Sequence, residues 1–433
     1  MIARVVAFRT LRNVSAEGAY ANLELAKQLS KARLSPRDAA FATELVAGTC
    51  RAQGVYDQII ALAANRRLKD LQPAVVDVLR LASHQLLAMR VPTHAATDSM
   101  VDLAGKQVGG RVKGLVNAVC RRIGERTWEE WVADLTRDLD ELGAMAVRTC
   151  HPRWIAAAFA ERLPADEVEP ALAADNAAPR PHLAAWPGLC APADIPDCEP
   201  ARFSPYGVYP QRPPGDYEQV RRGLAGVQDE GSQLVAAALA RPAAADGPWL
   251  DMCAGPGGKA ALLNALALAA GSWLLASELR PGRAALVAQA LRAFPQRHVI
   301  AADGQCPPWP SGAFSRVLAD VPCTGLGALR RRPDARWRRL ESSVDELEPL
   351  QRGLLAQAVA AAKPGGVVAY VTCSPHLRET HQVVESVRDR VTPLRAADYL
   401  PGVPDCADGD YAQLWPHKHG TDAMFLALLR VTG

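Results

Sequence analysis

The sequence predicts a multidomain protein: an all-α N-terminal domain, then an α/β domain built on a mostly parallel sheet. Three observations carry that expectation. Apolar residues near the start recur only at helical spacing. From about Val227, short apolar runs alternate with helical stretches. Those runs end in polar residues at Asp251, Glu278, Asp303, Asp320 and Thr372, the pattern of buried parallel strands covered on both faces. A chain of 433 residues is too long for one ordinary core. Composition places the divisions at 1–145 (helical), 146–225 (connecting α/β segment) and 226–433 (α/β domain).

Each element has its own signal. Ser35-Pro36 before Arg37 to Ala47 is an N-cap followed by proline at the first helical position. Val75, Leu79, Ala82 and Leu86 share one helical face, as do Val112, Leu115, Val119 and Ile123. No strand is expected before about Trp128. The middle segment, rich in Pro and Ala, begins near His151-Pro152-Arg153-Trp154, and no strand is evident over Pro181 to Gly188. The apolar stretch Ala260 to Ser277 contains Asn264, Gly271 and Ser272, so it reads as helix, turn and buried strand rather than a membrane span.

Charge and cysteine usage narrow the classes. The net charge is only +3, but Met1 to Arg126 holds 19 Lys/Arg against 10 Asp/Glu, a surplus compatible with a nucleic acid partner. The ten cysteines are scattered, without a Cys-x-x-Cys pair or zinc-ligand spacing, so no metal is expected. Arg4, Arg9 and Arg12 break any signal-peptide core, and the thiols are expected to stay reduced in a cytoplasm. Nothing demands more than a monomer.

Open parallel sheets bind ligands beyond the carboxyl ends of their strands. There, Asp251-Met252-Cys253-Ala254-Gly255-Pro256-Gly257-Gly258-Lys259 follows one strand and opens a helix. Its glycines let backbone amides approach a ligand closely. A Walker loop is excluded, because it needs Gly at Cys253 and Ser or Thr at Ala260. Glu278, ending the next strand, can accept both hydroxyls of a ribose, and Asp303, ending a third, falls where an adenine belongs. Cys253 to Lys259, Glu278, Asp303 and Asp320 therefore form the expected cofactor site, with S-adenosylmethionine as the cofactor.

Two further runs carry reactive groups: Asp320-Val321-Pro322-Cys323-Thr324-Gly325 and Val371-Thr372-Cys373-Ser374-Pro375. Their strands are expected to be neighbours, about 5 Å apart. A thiolate that adds to carbon 6 of cytosine makes carbon 5 nucleophilic enough to take a methyl group. Asp320 is placed to hold the base edge, and a second thiol to assist elimination.

Several runs carry family resemblances. Leu45 to Arg51, Val78 to Leu81 and Lys113 to Val119 resemble a NusB-type helical RNA-binding domain, which would put Asn117 and Arg121 near an RNA-facing groove. The two cysteine motifs, with Gln228 to Gln233 and Arg331 to Trp337, resemble the Sun (Fmu) family of RNA cytosine-5 methyltransferases, whose catalytic domain is Rossmann-like. A NusB-like front is similar to the branch of that family acting on 16S ribosomal RNA. The resemblance implies Cys373 as nucleophile, Cys323 as the residue promoting product release, and Asp320 and Lys259 as polar groups of the site. Thr421 to Phe425 departs from the family's usual Asp-Gly-Phe-Phe. Six Arg between Arg330 and Arg339 suggest an RNA clamp of Arg330, Arg331, Arg332 and Arg336 with Trp337 as a stacking face. The competing readings are a tRNA or a DNA cytosine-5 methyltransferase, or a non-catalytic RNA-binding assembly factor on the same fold.

Overall fold

Ser35 accepts a hydrogen bond from the Asp38 N–H, and Pro36 opens the helix Pro36–Ala64. Around it, in this computed structural model describing residues 1–89 and 91–432, pack the helices of the N-terminal region, from Ile2–Glu17 to Ala165–Ala174. The apolar faces read from the sequence turn inward: Val75, Leu79 and Ala82 on Pro73–Leu87, and Val119 and Ile123 on Lys113–Gly124, join Leu45, Ile59 and Ile60 in one core. On Lys113–Gly124, Asn117 is half-buried and Arg121 is exposed. Among the described residues no strand precedes Leu183, and no helix is long and apolar enough to cross a membrane.

The chain divides into two units, Met1–Ala177 with Leu329–Leu340, and Ala178–Ala328 with Glu341–Gly433. The arginine-rich segment thus packs within the helical unit, which corrects one expected RNA contact, Arg336. Arg336 is wholly buried. Its Nη1 donates to the Cys150 carbonyl at 2.9 Å and to Asn176 Oδ1 at 2.7 Å, and Nη2 donates to the Asp175 carbonyl at 3.3 Å. Burial lowers the guanidinium to about 10, still charged at neutral pH. Trp337 donates from Nε1 to the Arg51 carbonyl at 3.0 Å, and its ring covers Gly54, where a Cβ would come within 2.1 Å of it. Arg336 is therefore not presented to a ligand, whereas Trp337 is half-buried. Arg331 and Arg332 remain exposed and Arg330 half-buried.

The second unit opens with a small antiparallel sheet of β1 (Leu183–Ala185), β2 (Cys198–Pro200), β3 (Gly207–Pro210) and β4 (Ala225–Val227), in the order β2-β3-β1-β4. A strand therefore does occupy the stretch Pro181 to Gly188. It escapes sequence reading because its three residues are all buried, which removes the alternation that marks a half-exposed strand. Glu230, at the start of the helix Glu230–Ala240, is buried and accepts from Ser204 N at 2.8 Å and Tyr209 Oη at 2.9 Å. This ties the small sheet to the turn that follows β4.

The large sheet comprises β5 (Trp249–Asp251), β6 (Leu274–Glu278), β7 (His298–Ala301), β8 (Phe314–Asp320), β9 (Ala362–Thr372), β10 (Val391–Leu394), β11 (Ala407–Asp408), β12 (Tyr411–Gln413) and β13 (Phe425–Val431). Its order is β11-β12-β13-β9-β8-β5-β6-β7, with β10 also on β13. Strands β9, β8, β5, β6 and β7 run parallel, and β13 is antiparallel to β9. The stretch Ala260 to Ser277 resolves into the helix Gly258–Ala269, a turn at Gly271 and β6. Apolar side chains from both faces fill the space between sheet and helices, so the five parallel strands present only their carboxyl ends to ligands.

Arg336→Ala strands buried carbonyls, and is expected to destabilise the protein by about 3 kcal/mol. Arg332→Ala, at the exposed end of the same segment, should change stability by less than about 0.5 kcal/mol. Urea denaturation followed by circular dichroism checks both.

Candidate active site

The loop after β5 turns sharply because Gly257 adopts φ 117°, a conformation that L side chains rarely reach. A Cβ there would sit 2.6 Å from Ala290 Cβ, and one on Gly255 would sit 2.1 Å from Glu278 Oε2. The absence of side chains thus lets the loop lie directly against the ends of β6 and the helix Pro281–Ala290. Glu278 is nearly buried and braces the loop: its Oε2 accepts from Gly255 N at 3.1 Å and from Arg283 Nε at 3.2 Å, and Oε1 accepts from Arg280 N at 3.1 Å. Asp303, two residues beyond β7, is exposed and accepts from Gln305 N at 2.9 Å.

Asp251 lies at the bottom of this site, 1% exposed. Its Oδ1 accepts from Cys253 N at 3.3 Å, while Oδ2 has no hydrogen-bond partner. Burial first, and the Asp320 charge second, push its carboxyl up to about 8. Burial likewise raises the Cys253 thiol well above its usual range.

On the other side of β5, Lys259 donates from Nζ to Asp320 Oδ2 at 3.0 Å and to Ser232 Oγ at 3.2 Å. Burial pulls the ammonium down, but the Asp320 carboxylate more than offsets this, and Lys259 stays charged. Past the ends of β8 and β9 the two thiols meet: Cys323 Sγ and Cys373 Sγ are 3.4 Å apart. The Cys323 thiol is pushed well up, chiefly by its hydrogen bond to the Cys373 sulfur and then by burial. The two sulfurs lie within hydrogen-bond distance, and either can be the donor.

Glu379 locks the two cysteine loops together. It is fully buried, accepts from Thr324 N at 2.8 Å and Ser374 Oγ at 2.6 Å, and also takes the Thr324 hydroxyl. Gln351 Nε2 bridges Glu379 Oε1 at 3.0 Å and the Pro322 carbonyl at 2.9 Å. Gly327 N donates to the Cys373 carbonyl at 2.8 Å, and a Cβ on Gly327 would meet the Ala423 carbonyl at 2.1 Å. The divergent run Thr421 to Phe425 therefore packs tightly under the Pro-Cys loop, with all five residues buried.

The family described as 16S rRNA methyltransferase RsmB/F matches residues 237–430, and the NusB family matches residues 1–125. A Mycobacterium tuberculosis protein named for a methyltransferase, Rv1407, is 48% identical over 99% of this chain and 96% of its own length. Ribosomal RNA small subunit methyltransferase B of Pseudomonas putida is 32% identical over 91% of each chain. The chain belongs to the RsmB/F family. The crystal structure of PH0851 shares the fold, with a TM-score of 0.79 at 20% identity over 99% of this chain and 98% of the other.

As an RsmB/F methyltransferase the protein uses S-adenosylmethionine, and the residues present suit it. A nearly buried carboxylate stands at the end of β6, a glycine loop is stripped of side chains, and Asp251, at the end of β5 where that loop begins, keeps one carboxyl oxygen without a hydrogen-bond partner. Among the described residues no cluster of His, Cys, Asp and Glu is placed to hold a metal ion. Of the residues expected from sequence, Lys259, Asp320, Cys323 and Cys373 come together at one end of the sheet, and Glu278 borders the glycine loop.

Three residues of the site escape sequence reading. Ser232 lies in the run Gln228 to Gln233, but its contact with Lys259 spans 27 positions. Arg283 looks like any exposed helix-start arginine until it reaches Glu278. Glu379 had one available signal, a carboxylate five positions after Ser374 in a segment that must double back under the cysteine loops.

Two outcomes are expected. Asp251 binds its proton more tightly folded than unfolded, so its contribution to ligand-free stability is full below about pH 4 and is lost as pH rises toward 8. Melting temperatures of ligand-free Asp251→Asn should therefore gain on wild type between pH 5 and pH 9. Glu379→Ala should lower the methylation rate about a hundredfold by loosening both cysteine loops, while the Kd for S-adenosylhomocysteine, by calorimetry, stays within about twofold.

Proposed function

We propose that this enzyme methylates carbon 5 of one cytosine in 16S ribosomal RNA by covalent catalysis, with Cys373 as the nucleophile. The observation that carries the reading is the pair of sulfurs 3.4 Å apart beside the Lys259–Asp320 ion pair. Bound S-adenosylmethionine supplies the methyl group. Cys373 Sγ attacks carbon 6 of the base as a thiolate, forming a carbon–sulfur bond and enriching carbon 5 in electrons. Asp320, held in place by Lys259, can accept from the exocyclic amino group of the cytosine and from the ring nitrogen once that nitrogen has taken up a proton. After methylation, carbon 5 gives up its proton to the Cys323 sulfur as that residue passes its own proton on, and the carbon–sulfur bond breaks, returning its electron pair to Cys373. Cys323 assists by donating its S–H to the departing sulfur.

The target base must be unpaired or turned out of its helix to meet both thiols. Arg330, Arg331 and Arg332, with Asn117 and Arg121 of the NusB-type unit, are proposed to contact the RNA backbone. The curated relatives named for methylating small-subunit ribosomal RNA favour that substrate.

Cys323→Ala protein expressed in cells should retain RNA through a denaturing gel, and Cys373→Ala should retain none. An adduct on Cys373→Ala instead would reverse the two roles. Sequencing the trapped RNA identifies the target, and a transfer RNA there would overturn the ribosomal substrate while leaving the chemistry standing.

A further inference from the structure

The turn between β4 and the helix Glu230–Ala240 carries a side chain that the chemistry above leaves unused. Gln228 is 6% exposed, and neither its amide nitrogen nor its amide oxygen has a hydrogen-bond partner. Its backbone is firmly held, with N–H donating to the His182 carbonyl at 3.1 Å and C=O accepting from Gln233 Nε2 at 3.0 Å. A buried amide with both ends unmade is costly. Its placement says what it serves. A Cβ on Gly258 would lie 3.7 Å from Gln228 Cδ and 3.9 Å from Nε2. The carboxamide thus lies against the first residue of the helix Gly258–Ala269, which has no side-chain cap, and the first N–H groups of a helix have no partner within it and favour negative charge.

The two ends of the glycine loop are distinct. Glu278, the ribose carboxylate, braces it at Gly255, whereas Gln228 lies at Gly258, and Ser232 in the following turn of helix holds Lys259 and with it the catalytic side. An amide beside a helix N-terminus, between the ribose end and the thiols, suits a carboxylate. We propose that Gln228 is a further cofactor-binding residue, whose carboxamide holds the carboxylate at the amino-acid end of S-adenosylmethionine. The inference rests on the methyl-donor site described above.

The test compares two probes on the full chain, S-adenosylhomocysteine, which keeps the amino-acid end, and 5′-methylthioadenosine, which lacks it. Gln228→Met, similar in volume, is expected to weaken S-adenosylhomocysteine about tenfold by calorimetry and to leave methylthioadenosine within about twofold. Gln228→Glu, adding a like charge, should weaken the first probe further and spare the second. Because an unpaired amide is removed, the ligand-free Gln228→Met protein should melt no lower than wild type. Equal losses for both probes, unchanged affinity for S-adenosylhomocysteine, or a lower ligand-free melting temperature would each overturn the assignment. Failure of wild type to bind S-adenosylhomocysteine would overturn the donor site as a whole.

Discussion

The meeting of two sulfurs depends on one pairing, that of β8 with β9. The strands run parallel and in register, with Asp320 opposite Val371, so they end side by side. Cys373 follows Val371 by two residues and Cys323 follows Asp320 by three, while Val321 N still donates to the Val371 carbonyl at 3.1 Å. A register slip of one residue would turn each strand's side chains to the opposite face. The pairing is fixed by what lies on both faces: Val317, Leu318, Ala319, Val368, Ala369 and Tyr370 are all fully buried. The core thus sets the chemistry, because the reactive groups hang from strands with no freedom to slide.

Buried polar groups do the remaining positioning, and each is balanced differently. Lys259 and Asp320 neutralise one another; Glu379 spends its carboxylate on the donors of two loops; Asp251 resolves its burial by keeping a proton. Such groups stabilise a fold weakly, since desolvation cancels much of their attraction. They do hold a particular geometry, because the loops cannot separate without leaving a buried charge unpaired. The helical unit uses the same device for packing, where Arg336 gathers carbonyls from segments far apart in the chain.

Much of this architecture was legible because it is periodic or punctuated. Helical faces repeat every three to four residues, and the parallel strands announce their ends with Asp251, Glu278, Asp320 and Thr372. Proline or glycine flanks both cysteines, marking turns at strand ends. What stayed hidden depends on partners distant in sequence. Arg336 and Trp337 sit among arginines that in one dimension look alike, and only the fold distinguishes the one facing Cys150 from those facing solvent. Glu379 and Gln228 are single polar residues whose meaning lies in what does, or does not, meet them. The strand Leu183–Ala185 lacked the alternation that exposes a strand to inspection.

The return of residues 329–340 to the helical unit bears on how such a protein is inherited. A front domain joined by a single linker can be gained or lost in one recombination event. Here the catalytic half lends a strap to the front half, just beyond the Pro-Cys loop, and threads a buried arginine and a tryptophan ring into it. A gene that lost only its first 177 codons would encode a strap with nothing to grip, an apolar ring and a charged fork left hanging beside the reactive loop. Swapping front domains between relatives would require exchanging two separated pieces of sequence together, so the two units are expected to descend as one.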